Sequence, residues 1–359
     1  MNILIMTRYN NDGGVVTHVI DLANELKNRG NIVVVAAPYN LMGVEGRYEK
    51  LACTFTPIDF ESNNFIGIFK QLSGVIKEYC IQIIHSHNRN TSLYAQYFKL
   101  ARRIPFVWTL HQNNIPTKFP YKMLTFSGDR TIAVSNELRE FCVEKLEIPE
   151  RNISIIYNGV HEDRYVKDLR DNHIAEQFEI KADEIVFTLL SRLEKRKGHM
   201  MLLKALMLLK TNKKIRVLIT GNDLDKGEYR HELERFINGN HLEDRVCFVG
   251  YVKPVEILSI SDAMVLPSER EGQPIAVIEA FLMKVPVIRT KTGGYEETKD
   301  ICIGIDNEHQ LAKAIEKVIG NRSDLAEMIE DAYNFARLNC TVNVMTEQVQ
   351  KIYKELIER

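Results

Sequence analysis

The chain has 359 residues, 45% of them hydrophobic and 26% charged, with 47 Lys plus Arg against 48 Asp plus Glu for a formal net charge of -1. At roughly 150 residues per domain, that length predicts two globular domains with sizeable cores, and the composition excludes collagen, coiled coil and disorder. A charge this close to zero provides no global field to draw the protein to nucleic acid or an anionic bilayer, so any anion site must be local.

Short Val/Ile-rich runs alternate with helical patterns along the chain, the pattern of βαβ units around parallel sheets. Strands are expected near 2–6, 31–37, 81–85, 106–110, 130–134 and 153–157, then near 185–191, 215–220, 246–249, 262–267, 285–289 and 302–305. Helices are expected over 15–29, 65–79, 91–103, 136–146, 197–210, 228–238, 275–283, 308–319 and 323–338, with a closing helix through 343–357. After ISIIYNGV a polar stretch interrupts the alternation before IVFTLLSRL restarts it, which marks a domain boundary. The expected architecture is α/β, two Rossmann-like doubly wound domains facing a central cleft, residues 1–165 and 166–339, with ligands at the carboxyl ends of the strands.

The six cysteines, Cys53, Cys80, Cys142, Cys247, Cys302 and Cys340, include no C-x-x-C pair, so they read as buried thiols of a reducing compartment. No basic segment followed by a long apolar run opens MNILIMTRYN. The purest apolar run, IVVVAA, is far short of the roughly 20 residues a span needs. A cytoplasmic protein without a signal or a transmembrane segment is the expectation.

The most informative stretch is DAMVLPSEREGQPIAVIEAFLMKVPVIRTKTGG. A strand empties into a polar loop from Ser268 to Gly272, and Pro274 is expected to open a helix. That geometry offers unpaired backbone N–H groups at the positive end of a helix dipole, a phosphate site that needs no basic side chain. Glu279 is the only ionisable residue in PIAVIEAFLM, and a diol can satisfy such a carboxylate with two O–H donors. Taken alone, a helix-rim position for Glu279 and a solvated loop charge at Glu271 account for the same residues.

In LLSRLEKRKGH, Arg192 leaves a strand end and Lys197 and Gly198 open the next helix. Such a cationic pair can neutralise a diphosphate through charge-assisted hydrogen bonds of roughly 1.5–3 kcal/mol each. Lys195 and Arg196 thicken the patch and Glu194 partly cancels it. Gly13 and Gly14 follow the first strand without forming G-x-G-x-x-G, and no acidic residue ends the second strand, so an NAD site is not expected. His111 closes the strand FVWTLH, whereas His85 and His87 form an H-x-H with no third metal ligand in view. His18 reads as structural, and the D-x-D of Asp223 and Asp225 reads as a loop rather than a metal site.

Glu271-Gly272-x-Pro274-x4-Glu279, with Ser268 ahead of it, resembles the signature of retaining GT-B glycosyltransferases of the group 1, family 4 type. Arg192-x4-Lys197, Gly13-Gly14, TLH at 109–111, AVS at 133–135, NGV at 158–160 and TGG at 292–294 stand in that family's order. The resemblance implies a nucleotide-sugar donor, UDP-linked, on the second domain, and an acceptor-side first domain on which the last helix, 340–359, packs back. It implies that Arg192 and Lys197 bind the donor phosphates, Glu279 the ribose, and Glu271 the sugar hydroxyls, with Gly272, Gln273, Pro274 and Ile275 assisting. Gly13-Gly14 would approach the diphosphate and His111 would line the sugar site. The family's usual chemistry needs no metal or other cofactor.

Two features depart from the pattern: His161 stands where Asp is common after NGV, and 40–64 matches nothing familiar. A sugar-nucleotide 2-epimerase of the same architecture and a non-catalytic nucleotide-sugar-binding subunit are the alternatives. By the same resemblance the acceptor is a carbohydrate or a lipid-linked sugar of bacterial cell-surface synthesis, with peripheral contact at the inner face of the membrane. Lys99, Arg102, Arg103, Lys118 and Lys122 beside Phe119 and Tyr121 would supply that contact.

Overall fold

Strand β1 (Asn2–Met6) buries Ile3, Leu4, Ile5 and Met6 completely, which requires cover on both faces of its sheet. Side chains alternate across a strand, so the two faces collect different residues. Leu4 and Met6 join Val34, Ile84 and Trp108 in one core, while Ile3 and Ile5 join Val33, Ile83 and Val107 in another.

The computed structural model describes residues 1–9, 13–39, 51–119, 121–165, 172–223, 227–320 and 322–359. The chain divides into two units, Met1–His161 with Asn339–Arg359, and Glu162–Leu338. The break at 161/162 precedes the composition-based boundary at 165/166, because Tyr165 bonds within the second unit.

In the first unit, α1 (Gly14–Asn28), β2 (Ile32–Ala37), β3 (Thr54–Pro57), α2 (Phe65–Glu78), β4 (Ile83–Ser86) and α3 (Arg89–Arg102) follow β1. Then come β5 (Phe106–Leu110), β6 (Arg130–Ala133), α4 (Asn136–Glu144) and β7 (Ile153–Ile155). All strand pairs are parallel in the order β3-β2-β1-β4-β5-β6-β7. β3 lies in the stretch that matched nothing familiar; it is short and only half-buried, so it lacks the apolar run that marks the other strands.

The second unit contains α5 (Asn172–Gln177), β8 (Glu184–Leu189), α6 (His199–Leu208), β9 (Lys214–Thr220), α7 (Glu228–Gly239) and β10 (Val246–Gly250). It continues with α8 (Pro254–Ser259), β11 (Ala263–Leu266), α9 (Ile275–Leu282), β12 (Val287–Thr290), β13 (Ile303–Ile305), α10 (Glu308–Gly320) and α11 (Ala326–Asn339). Its sheet is again parallel, in the order β10-β9-β8-β11-β12-β13. Both sheets therefore reverse direction beside their first strand, at β1/β4 and at β8/β11, and those are the topological switch points where α/β folds bind ligands. The six-residue helices α5 and α8 are too short to show a helical period in the sequence.

The final helix, α12 (Val342–Ile357), belongs to the first unit. Val342, Met345, Val349, Ile352, Tyr353 and Leu356 form one apolar stripe and complete the core that α1 begins. Tyr353 Oη lies 2.5 Å from His85 Nδ1, and His85 Nε2 lies 2.7 Å from Thr109 Oγ1. Burial keeps the phenol protonated, and the two hydroxyls together satisfy both nitrogens of the His85 ring. Tyr353→Phe should leave a buried imidazole nitrogen unsatisfied and cost about 1–3 kcal/mol, read by urea denaturation.

Candidate functional site

At the second unit's switch point, β8 and β11 are adjacent, so the loops leaving their carboxyl ends must meet. Glu269 N donates to Arg196 O at 2.8 Å, which ties the two loops together. Lys197 closes a 3-10 turn, and Gly198 is the N-cap residue of α6, with a φ of 75°. A Cβ at Gly198 would stand 1.9 Å from Pro267 O, so this position excludes any side chain and brings the β8 loop onto the end of β11.

Lys197 Nζ lies 2.6 Å from Glu271 Oε1, and both side chains are largely buried. Arg192 Nη2 pairs with Glu194 Oε1 at 2.7 Å, and Arg196 holds the other oxygen of Glu194. Arg192 Nη1 is buried with no hydrogen-bond partner among the described residues, and the same holds for Ser268 Oγ. Pro274 serves as the N-cap of α9 rather than its first helical residue, and no side chain caps the helix. Unsatisfied guanidinium hydrogens and an uncapped helix start are each the kind of group that receives an anion.

Arg289, almost fully buried on β12, donates to the carbonyl oxygens of Thr292, Gly293 and Gly294. It therefore fixes the TGG loop by its backbone. A Cβ at Gly293 would stand 2.4 Å from both Glu271 O and Gly272 O, so TGG packs directly on the Glu271–Gly272 turn. Sequence reasoning missed Arg289, although a lone cation inside the apolar run VPVIRT was the available signal. Glu279, on α9, accepts from Tyr165 Oη at 2.6 Å and so has a definite partner beyond a helix rim.

The first unit gathers a second cluster at its own switch point. His87 Nδ1 lies 3.0 Å from His111 Nε2, and the ring of His18 from α1 stands edge-on to both. His87 of the H-x-H thus meets histidines from two other elements, whereas the nitrogens of His85 face Tyr353 and Thr109, so the H-x-H does not act as a pair. Burial lowers the pKa of His18 to about 4, against weaker upward pulls from Asn158 and Asp21. Burial also holds His85, His87 and His111 well below 6.5, and their mutual repulsion as cations adds to it.

Gly13 is the N-cap residue of α1 in an extended conformation, and Gly14 begins the helix with no side-chain cap. Asn88 and Ser135 cap α3 and α4, accepting from Thr91 N and Leu138 N; for the AVS tripeptide this is a local structural role. His161 pairs with Asp21 at 3.4 Å. Of the D-x-D, Leu224 and Asp225 lie outside the described residues. The ion pair between Lys197 and Glu271 was not anticipated, because loops far apart in sequence supply its two halves.

Residues 12–164 match the model described as Glycosyltransferase Family 4, and residues 171–335 match that of Glycosyl transferases group 1. The chain belongs to this group 1, family 4 class of GT-B glycosyltransferases. An Escherichia coli UDP-Gal:alpha-D-GlcNAc-diphosphoundecaprenol alpha-1,3-galactosyltransferase is 26% identical over 251 residues, 64% of each chain, so the alignment spans under two thirds of that relative. A glycosyltransferase from Rickettsia africae ESF-5 superimposes with a TM-score of 0.85 at 24% identity, covering 100% of this chain and 99% of that one. The Anabaena protein HepE, solved with UDP and glucose, gives 0.83 at 21% identity, with 99% of both chains covered.

The neutral histidines have a thermodynamic consequence. The unfolded chain binds a proton at each imidazole below the ordinary value near 6.5, whereas folded His18 resists it down to about 4. This contribution is fully present above pH 6.5 and is lost as pH falls toward 4. For His18 alone the expected loss is about 2 kcal/mol by pH 5, from 1.36 kcal/mol per unit of pKa difference. Urea denaturation at pH 7 and pH 5, compared between wild type and His18→Gln, measures it: the variant's pH difference should be smaller by about that amount.

Proposed function

We propose that the protein transfers a glycosyl group from a UDP-sugar to a hydroxyl acceptor, with retention of anomeric configuration and without a metal or other cofactor. The observation that carries this reading is the second unit's switch point, where the Lys197–Glu271 pair ties the β8 loop to the turn ahead of the uncapped start of α9, and Arg192 Nη1 on the same β8 loop is buried with no hydrogen-bond partner among the described residues. In this reading the second unit, Glu162–Leu338, holds the donor, while the first, Met1–His161 with Asn339–Arg359, takes the acceptor. Arg192 and Lys197 bind the two phosphates, and Glu279, oriented by Tyr165, accepts both ribose hydroxyls. Gly272, Gln273, Pro274 and Ile275 present backbone to the phosphates and sugar. In the first unit, Gly13 and Gly14 offer backbone to the diphosphate and His111 lines the sugar site.

The ion pair gives Lys197 and Glu271 linked tasks. When a diphosphate arrives, the ammonium turns to the stronger anion and releases the carboxylate to the sugar hydroxyls. As the anomeric bond to the phosphate oxygen breaks, negative charge grows on the leaving diphosphate, where Arg192 and Lys197 stabilise it. The acceptor oxygen enters on the same face, and its proton passes to a donor phosphate oxygen. The protein's contribution is charge stabilisation and positioning.

The E. coli relative's name specifies a diphosphoundecaprenol acceptor, which supports a lipid-linked acceptor here and a place in cell-surface polysaccharide or glycolipid synthesis. No helix among the described residues is long and apolar enough to cross a membrane. Peripheral contact at the inner face would fall to exposed Leu100 and Phe119 with Arg102, Arg103 and Lys118, since Lys99 and Lys122 are engaged by Asp129 and Glu147.

Lys197→Ala and Arg192→Ala should each lower kcat by about 10²- to 10³-fold, the scale for removing a donor to a developing anion. Circular dichroism should remain that of the wild type; wild-type turnover in either variant would overturn the assignment. Incubation with UDP-sugars and no acceptor should give slow hydrolysis, whereas a 2-epimer product would point to an epimerase. Absence of nucleotide binding by calorimetry would leave only a non-catalytic role.

A further inference from the structure

Three of the four buried histidines of the first unit form a possible ligand set, and the proposed transfer uses only His111 of the three. One ring nitrogen from each of His18, His87 and His111 lies within 4.8 Å of the others, and the side chains come from α1, the end of β4 and the end of β5. His87 Nε2 is buried with no hydrogen-bond partner among the described residues. His85 is adjacent yet cannot join, because Tyr353 and Thr109 occupy both of its nitrogens.

We propose that His18, His87 and His111 bind a single zinc-class divalent cation, which withdraws His111 from the sugar site and so opposes transfer. A neutral imidazole offers one lone pair, and a shift of its proton to the other nitrogen places that pair on either side of the ring. Three imidazoles with no carboxylate or thiolate select zinc, copper or nickel over magnesium or calcium. Metal–nitrogen bonds of about 2.0–2.1 Å in a tetrahedral site put ligand nitrogens roughly 3.3 Å apart. The 3.0 Å between His87 and His111 is already near that spacing, and rotation of the His18 side chain closes the triangle.

The surroundings suit an ion. Asp21, itself buried, stands beside His18 and supplies compensating charge. A cavity of about 120 Å³, lined by His87, His111, Gln112 and Asn114 among others, adjoins the cluster and gives a route in and space for a water as fourth ligand. The inhibitory half of the proposal rests on the transferase reading; the binding half does not.

Titration of the full-length protein with Co²⁺, followed by visible absorption, should saturate at one equivalent and be reversed by Zn²⁺. His87→Ala and His18→Ala should each weaken Zn²⁺ binding at least tenfold in competition with a chromophoric chelator, with circular dichroism confirming a native fold. Should either variant fail to fold, ¹⁵N-histidine spectra of the wild type decide: Zn²⁺ must shift three buried imidazoles and leave His85 in place. Absence of a one-to-one complex, unchanged affinity in both folded variants, or an unmoved histidine spectrum each overturns the site. Transfer that proceeds unchanged in the zinc-loaded protein overturns the inhibitory role while leaving the binding intact.

Discussion

A parallel strand buried on both faces has no room along its length for polar side chains that lack partners, and this constraint shapes both units. Strands such as Ile3–Met6 exclude water from either side, so helices must cover two faces and chemistry is confined to the loops at the strand ends. The strand-order reversals at β1/β4 and β8/β11 then separate the covering helices and leave an opening in each sheet. His18, His87 and His111 gather at one such opening. Arg192, Lys197, Glu271 and the start of α9 gather at the other.

Two polar side chains that enter the sheets hold neighbouring elements in place. His85 sits on a central strand and links Tyr353 of the last helix to Thr109 of β5. Arg289 does the equivalent on β12, satisfying its charge with three loop carbonyls. In both cases the cost of burying a polar side chain is offset by its hydrogen bonds, and the bonds position a segment the sheet alone would leave loose. The TGG loop owes its position on the Glu271–Gly272 turn to that arginine and to the absence of a Cβ at Gly293.

The Lys197–Glu271 pair connects architecture to chemistry. Two opposite charges, each mostly withdrawn from water, are tolerated because they meet at 2.6 Å. In the proposed reaction both groups exchange partners when a more highly charged anion enters. Glu194 plays a different part: it spans Arg192 and Arg196 and still leaves one buried nitrogen of Arg192 without a partner among the described residues.

The βαβ alternation, the two sheets and the candidate residues of the E-x7-E segment were legible in the sequence, because burial on both faces writes long apolar runs and turn residues mark their ends. β3, α5 and α8 were not, since segments of four to six residues hold too few positions for a period to show. Nor were the partners legible. H-x-H at the end of β4 named two histidines, but only folding brought His18 of α1 and His111 from the end of β5 to His87; Lys197 and Glu271 stand 74 positions apart and meet because β8 and β11 are neighbours. The sequence by itself determined which side chains are available and at which strand ends they stand, because periodicity and propensity are local. The tertiary structure decided which of them touch, because contact depends on strand order, and strand order arises only when the whole sheet assembles.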